Sequence, residues 1–380
     1  MLRIFGFSGA VTILTMIGAF VLGGPSVFAI VTILIILEVS LSFDNAVVNA
    51  KILVRMSQFW QTIFLTIGIL IAVFGMRLVF PLVLVGVTAQ LGPIEVFELA
   101  LAGGEGPDSY AGRLEAAHPA IAGFGGMFLG MLFLDWLFED RDIKWLTWLE
   151  RPLARIGKLD QVAVVLAAVL LVVAASFLAE AGDEAATVMI SGLLGMVTYL
   201  LVNGLGTLFE EQGLGEAEGT EEEGAVETAS ATVVEGAQTS RGGPSGAVKA
   251  TGKAGFFLFL YLEVLDASFS FDGVIGAFAV SQDIFVIAAG LGVGAFWIRS
   301  LTVYLVRKGT LDDYVYLEHG AHWAIGALAV LLFVTIEYHV PEVITGLIGV
   351  GFILAAFINS IMRNRRLDTE GAPHKTEVHV

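Results

Sequence analysis

The sequence predicts an all-α, polytopic membrane protein of about ten transmembrane helices built around an inverted internal repeat. Three observations predict it. The composition is too apolar for a water-facing surface, the basic residues fall almost entirely on one side of the threaded chain, and one ten-residue phrase occurs twice.

Of 380 residues, 56% are hydrophobic and only 15% charged, and the mean hydropathy is +0.83. A soluble domain carries roughly 45–50% apolar and about 25% charged residues. The shortage of charge argues against a soluble enzyme, a nucleic-acid binder and a secreted disulfide scaffold. The formal charge of −17 has the wrong sign for nucleic acid or an anionic lipid surface. With no cysteine in the chain, thiolate metal sites and cysteine nucleophiles are excluded.

A membrane span takes ~20 apolar residues. Ten such segments are read at about 7–23, 27–50, 59–85, 119–138, 160–180, 186–208, 254–280, 283–306, 321–339 and 342–362. Gly23-Gly24-Pro25 separates the first two, and Pro341 the last two. The first segment follows Arg3, as in a signal peptide. It lacks a clean small-x-small cleavage site and another apolar segment follows at once, so it is expected to be retained.

Threading ten helices places 17 of the 20 bases on one side, from Arg3, Lys51 and Arg55 through Arg151 and Lys253 to Arg366 and Lys375. The other side receives only Arg113, while Arg77 and Arg299 lie inside apolar segments. An error of one helix in the middle would scramble this split. The positive-inside rule then predicts a multi-pass protein of the cytoplasmic membrane with both termini cytoplasmic.

The predicted organisation follows: an N-terminal helix (1–26), a first repeat bundle (27–140), additional helices (141–209), a disordered acidic cytoplasmic loop (210–253), a second repeat bundle (254–362) and a cytoplasmic tail (363–380). The acidic loop is rich in Glu, Gly, Ala, Ser and Thr and has too little apolar surface to fold alone. On the opposite side, Leu91 to Leu101 is expected to form a short interfacial helix.

The repeated phrase is E-V-S-L-S-F-D-N-A-V at 38–47 and D-A-S-F-S-F-D-G-V-I at 266–275. Glu38 matches Asp266, Ser42 matches Ser270, and Asp44 matches Asp272. The match continues at one constant offset with Gly68 and Gly290 and with Arg77 and Arg299, and then, with one residue of slippage, His118 and His322. Three blocks in order indicate a duplication. Five helices lie between the two motifs, an odd number, so the copies run in opposite directions, as in secondary transporters with a midplane site.

An ionised carboxylate at the bilayer centre costs at least ~2.5–3.5 kcal/mol. The motifs place Glu38, Asp44, Asp266 and Asp272 there, with Glu263 close by. A bound divalent cation would neutralise two charges; protonation is the other route. The candidate ligands Glu38, Ser42, Asp44, Asn45, Asp266, Ser270 and Asp272 are all oxygen donors. Such a set suits Mn²⁺, Mg²⁺ or Ca²⁺ over Zn²⁺ or Cu²⁺. In an unbroken helix Glu38 and Asp44, six residues apart, point to different faces. Convergence on one ion therefore predicts unwinding near Ser42 to Asn45, where Asn45 and the matching Gly273 are poor helix formers.

Arg77 and Arg299 are expected in structural ion pairs or at the interface. Asp135 and Glu337 are expected to pair with those arginines or to line the path, and His118 and His322 to sit at the two mouths.

L-S-F-D-N at Leu41 to Asn45 and D-A-S-F-S-F-D-G at Asp266 to Gly273 resemble the two signature motifs of TerC-family integral membrane proteins. The family was named for tellurium-resistance loci and includes manganese exporters. Its first motif ends in S-x-D-N, matched by Ser42, Asp44 and Asn45; its second reads D-x-x-F-x-x-D-S, matched by Asp266, Phe269 and Asp272. Gly273 replaces the usual serine and the Pro-Ala that commonly follows is absent, which removes one hydroxyl and marks a divergent branch of unknown function. The resemblance covers the motif helices and, more loosely, 27–140 and 254–362. It implies divalent metal transport, with manganese efflux first and Ca²⁺ or Mg²⁺ as alternatives. The implied partners are the lipid bilayer and the metal ion as substrate. No nucleic acid is implied, and a homo-oligomer is left open. The alternative is a membrane-bound accessory or scaffold of a metal or tellurium stress-response complex, docking through the acidic loop. An intramembrane aspartyl enzyme is not expected, because the duplication extends well beyond two aspartates.

Overall fold

The structure is a computed structural model that describes residues 2–102, 104, 106–141, 143–157, 161–224, 250–281, 283–308 and 313–370. Within these, the side chains at 2–3, 41, 44, 84, 87–88, 206–224, 271–272, 275–276, 278–279, 342–343 and 370 lie outside the description. Among the described residues the secondary structure is helical, apart from one isolated bridge between Met56 and Ala250.

The first helix, α1 (Leu2–Leu41), contains two antiparallel arms. The chain turns back at Gly24 (φ 70°, ψ −166°), a conformation that only glycine adopts readily, and Pro25 opens the second arm. Thr32 Oγ1 reaches Met16 Sδ at 3.7 Å, and the rings of Phe20 and Phe28 meet edge to face. Sixteen residues of straight helix would hold Thr32 and Met16 about 24 Å apart. The first two apolar segments are therefore a helical hairpin.

Next come α2 (Phe43–Arg55) and a broken span. The span begins with α3 (Gln58–Ile63), continues through π-helical turns at Phe64–Gly68 and Ile71–Val79, and ends in α4 (Phe80–Ala89). Its halves meet at 41°. At one end of the bundle lie α5 (Pro93–Ala102), which is the short helix expected after Leu91, and α6 (Tyr110–Ala116). The hydroxyl of Ser109 caps α6 by accepting from Gly112 N at 3.1 Å.

The remaining helices are α7 (His118–Phe138), α8 (Thr147–Ile156), α9 (Val162–Phe177), α10 (Asp183–Gly224), α11 (Gly252–Val280), α12 (Ile284–Lys308), α13 (Leu317–Glu337) and α14 (Glu342–Glu370). The backbone of α10 stays helical to Gly224, well into the acidic stretch. Residues 225–249 of that predicted loop lie outside the described residues, as does the tail from 371.

Six helices of the described chain are long and apolar enough to cross a membrane, or seven with the bent pair. That reckoning takes the α1 hairpin as one helix. The shorter α9 is an apolar helix of 16 residues, and α11 is a 29-residue helix that includes the second motif. Each of the ten predicted segments is thus helical. Leu14, Val165, Ile190 and Leu347 expose most of their surface on the outside of the bundle. Such an apolar exterior suits lipid contact.

The two repeats pack reciprocally. An added Cβ on Gly290 of α12 would fall 2.5 Å from Leu34 Cβ, and one on Gly294 would fall 2.4 Å from Glu38 Cγ. Both pairs share one offset, so the second arm of α1 runs parallel to α12. In the matching pair, a Cβ on Gly255 of α11 would meet Trp60 at 2.0 Å, and one on Gly68 would meet Glu263 Oε1 at 2.6 Å. These also share one offset, and α11 runs parallel to the broken span. Each motif helix therefore packs on the second helix of the other repeat. Equivalent helices α7 and α13 run antiparallel: Gly126 faces Phe333, Gly130 faces Ala329, and Gly326 faces Phe133. Glycine lets the backbones approach where lipid supplies little driving force for association.

The loops expected on the base-rich side meet at one end. Ala250 N donates to Arg55 O at 2.9 Å, Lys51 pairs with Glu318, and His319 Nε2 lies 3.0 Å from Ile143 O. At the other end Val96, Ala100, Tyr110 and Leu114 pack with Val274, Ala277 and Ile284. The core between them centres on Leu53, Phe128, Leu129, Leu262 and Leu265.

Candidate functional site

The first motif joins α1 to α2. Ser42 departs from helical geometry (φ −98°, ψ 13°), but Ser42 N still donates to Glu38 O at 2.9 Å and Ala46 N to Ser42 O at 3.3 Å. The second motif lies within the continuous α11. The unwinding expected near Ser42 to Asn45 is therefore a one-residue break at Ser42, and the second copy is helical throughout. Backbone groups inside a membrane must be satisfied internally, and neither motif contains a proline to free them.

Glu38 consequently stays on the face turned toward Arg77. Arg77, carried by the second π-helical turn, donates to Glu38 Oε1, and Ser42 Oγ donates to the same oxygen at 2.8 Å. The Arg77 Nη1 donates to Ala72 O at 2.5 Å. Both charged side chains are 2% exposed or less. Arg77 also interacts electrostatically with Asp266. The ion pair expected for Arg77 is present. For Arg299 no polar partner is found among the described residues, and it lines the cavity described next.

A cavity of ≈ 40 Å³ opens between the repeats. That is room for a few water molecules. One wall is Ser42, Asn45 and Asn49 of α2, and the opposite wall is Glu263 and Asp266 of α11. Gly68 and Arg77 of the broken span and Arg299 and Thr302 of α12 close the sides. Asn45 Nδ2 donates to Asp266 Oδ1 at 2.6 Å, linking the two motifs directly. Both oxygens of Glu263, Asp266 Oδ2 and Asn49 Oδ1 are buried and find no hydrogen-bond partner among the described residues. Buried polar atoms in native proteins are nearly always satisfied, so such a group calls for an explanation such as water or an ion. A methyl group at Gly68 would lie 2.6 Å from Glu263 Oε1, so that carboxylate would have to shift.

Of the predicted ligands, Ser42, Asn45 and Asp266 share this cavity, and Glu38 stands behind it in the ion pair. Ser270 is buried with a partnerless Oγ and is not part of the lining. The side chains of Asp44 and Asp272 lie outside the described residues. Among the described residues no three His, Asp or Glu side chains come together as a metal-holding group.

The predicted pathway residues divide. Glu263 and Arg299 line the cavity. Asp135 pairs with neither arginine; it accepts from Tyr199 Oη of α10 at 2.7 Å, which satisfies the carboxylate locally. Glu337 is exposed at the end of α13 and His118 is half-buried at the start of α7, both away from the cavity. His322 is buried, stacked on Trp136 with centroids 4.6 Å apart, and its Nδ1 lies 2.8 Å from Glu318 O. Arg141 covers the Trp136 ring at 3.7 Å. Burial lowers the pKa of this guanidinium from its ordinary value, opposed by Glu139, Glu150 and Glu318.

Asn49 escaped the sequence reading. It lies four residues after Asn45 and so on the same helical face, a spacing that would have shown it.

The profile of a family described as a protein of unknown function (DUF475) matches residues 43–367. No curated protein and no solved structure matches the chain.

Proposed function

The chain belongs to the DUF475 family, and from the cavity inside the matched region we propose that it transports a divalent metal cation across the membrane. The observation that carries the reading is the set of buried carboxylate and amide oxygens without partners, contributed by α2 and α11 to one cavity. Hard oxygen donors of this kind suit Mn²⁺, Ca²⁺ or Mg²⁺. Manganese is the first ion to test, because the two motifs resemble those of TerC proteins.

In this reading Glu263, Asp266, Asn45 and Asn49 replace part of the hydration shell of the ion. Asp44 and Asp272 supply the further charge. The Glu38–Arg77 pair holds the break at Ser42 and the bent span in register beside the cavity. The reciprocal glycine contacts let the two repeats rock against each other around a fixed site, as alternating access requires. The base-rich end faces the cytoplasm by the positive-inside rule.

The test is flux of Mn²⁺, Ca²⁺ and Mg²⁺ into proteoliposomes. Wild type should move at least one of them. Asp44→Ala with Asp272→Ala, and separately Asp266→Asn with Glu263→Gln, should abolish that flux while the protein stays folded. Wild-type rates in both variants, or no flux of any ion by folded wild type, would overturn the proposal.

A further inference from the structure

We propose that the outward face of α8 is a docking surface for anionic phospholipid headgroups at the membrane boundary. This inference does not depend on what the protein transports. The helix connects two spans: α7 ends at Phe138 and α9 begins at Val162. It therefore sits at the level where the bundle leaves the bilayer.

One face is pinned to the protein. Glu150 is buried, accepts from Trp145 N at 3.2 Å and Leu146 N at 3.1 Å, and lies 3.7 Å from His319 Nε2. Ala154 is buried one turn later. At the C-terminal end Gly157 abuts Phe138, where an added Cβ would lie 2.2 Å from the carbonyl oxygen. The helix is thus held at a fixed height and rotation.

The other face carries Trp148, Arg151 and Arg155, at i, i+3 and i+7, which share one side of a helix. Trp148 is 76% exposed. Both arginines are exposed and have no ion-pair partner among the described residues. The single acid of α8, Glu150, points the opposite way.

An exposed indole beside two exposed guanidinium groups on one helix face matches a phospholipid surface. The ring belongs at the headgroup level, and each arginine pairs with a lipid phosphate. The chain as a whole carries a net charge of −17, but the face presented to the lipid is locally cationic. Each basic residue near an anionic leaflet contributes about 1 kcal/mol of attraction, acting over about a Debye length.

The experiment titrates the full-length protein, in a neutral detergent, with phosphatidylglycerol and follows its melting temperature and the lipid retained in native mass spectrometry. Wild type should be stabilised by phosphatidylglycerol but not by phosphatidylcholine or inorganic phosphate. Arg151→Gln with Arg155→Gln should melt like wild type without lipid, and should need roughly tenfold more phosphatidylglycerol for the same shift. Arg151→Lys with Arg155→Lys should keep most of the effect. Equal stabilisation by phosphatidylcholine would mean acyl-chain binding only and would overturn the proposal. So would an equal effect of inorganic phosphate, or a glutamine variant that titrates like wild type.

Discussion

Replacing Arg77 with methionine removes one half of a buried ion pair and strands the other. Among the described residues, the Glu38 carboxylate, 1% exposed, would keep only its hydrogen bond from Ser42. Two unit charges about 4 Å apart interact by about 4 kcal/mol at an effective dielectric constant of 20. Measured losses on breaking such a pair are ~3–5 kcal/mol. The hydrogen bond from Arg77 to Ala72 O adds ~1 kcal/mol. We expect Arg77→Met to destabilise by about 4 kcal/mol. Glu38→Met should cost somewhat less, because Asp266 still attracts the guanidinium. The double variant no longer strands the Glu38 carboxylate, though Asp266 still loses its neighbouring guanidinium, so it should cost less than the sum of the two single losses. The assay is equilibrium unfolding in mixed micelles with rising SDS, followed by far-UV circular dichroism, for all four proteins of the cycle. A double loss equal to the sum of the single losses, or a loss under about 1 kcal/mol for Arg77→Met, would refute the reasoning.

Other perturbations test the frame around the cavity. Gly24→Ala forces a side chain into a conformation close to glycine-only and should cost ~1–3 kcal/mol in the same unfolding assay; an unchanged midpoint would speak against the hairpin turn. Gly326→Ala drives a methyl group to 2.7 Å from the Phe133 ring and should destabilise by ~1–3 kcal/mol, with partial recovery when Phe133→Leu is added. Gly68→Ala should lower cation flux several-fold without changing the circular dichroism spectrum, because the added methyl displaces Glu263; wild-type flux would remove Glu263 from the mechanism. Tyr199→Phe leaves Asp135 without its hydroxyl donor and should cost ~1–3 kcal/mol, read as a shift of the unfolding midpoint.

Much of the architecture was legible in the primary structure. Hydropathy and the positions of seventeen basic residues are local quantities, and they marked ten helical segments and the end at which Arg55, Lys51 and Ile143 now meet Ala250, Glu318 and His319. The duplicated phrase likewise pointed to Asn45 and Asp266, which the structure joins by a hydrogen bond. The reading erred where geometry was inferred from chemistry. Unwinding near Ser42 to Asn45 was expected so that Glu38 and Asp44 could converge, whereas the departure is confined to Ser42 and the backbone keeps its hydrogen bonds across it.

By itself the sequence determined the class of the protein, the number of apolar segments, the antiparallel sense of the two repeats and the acid-rich motifs. Each of these is written in short stretches of chain, because a bilayer judges twenty residues at a time. Only the tertiary structure decided which acid meets which base. Glu38 went to Arg77, Asp135 went to Tyr199, and Glu263 was left with Arg299 and Asp266 around a small cavity. Those choices depend on the helix a side chain faces after packing. The bend of the broken span and the glycine contacts at Gly68, Gly290 and Gly326 set that facing. Contacts of this kind join residues tens to hundreds of positions apart, and no local pattern in the chain encodes them.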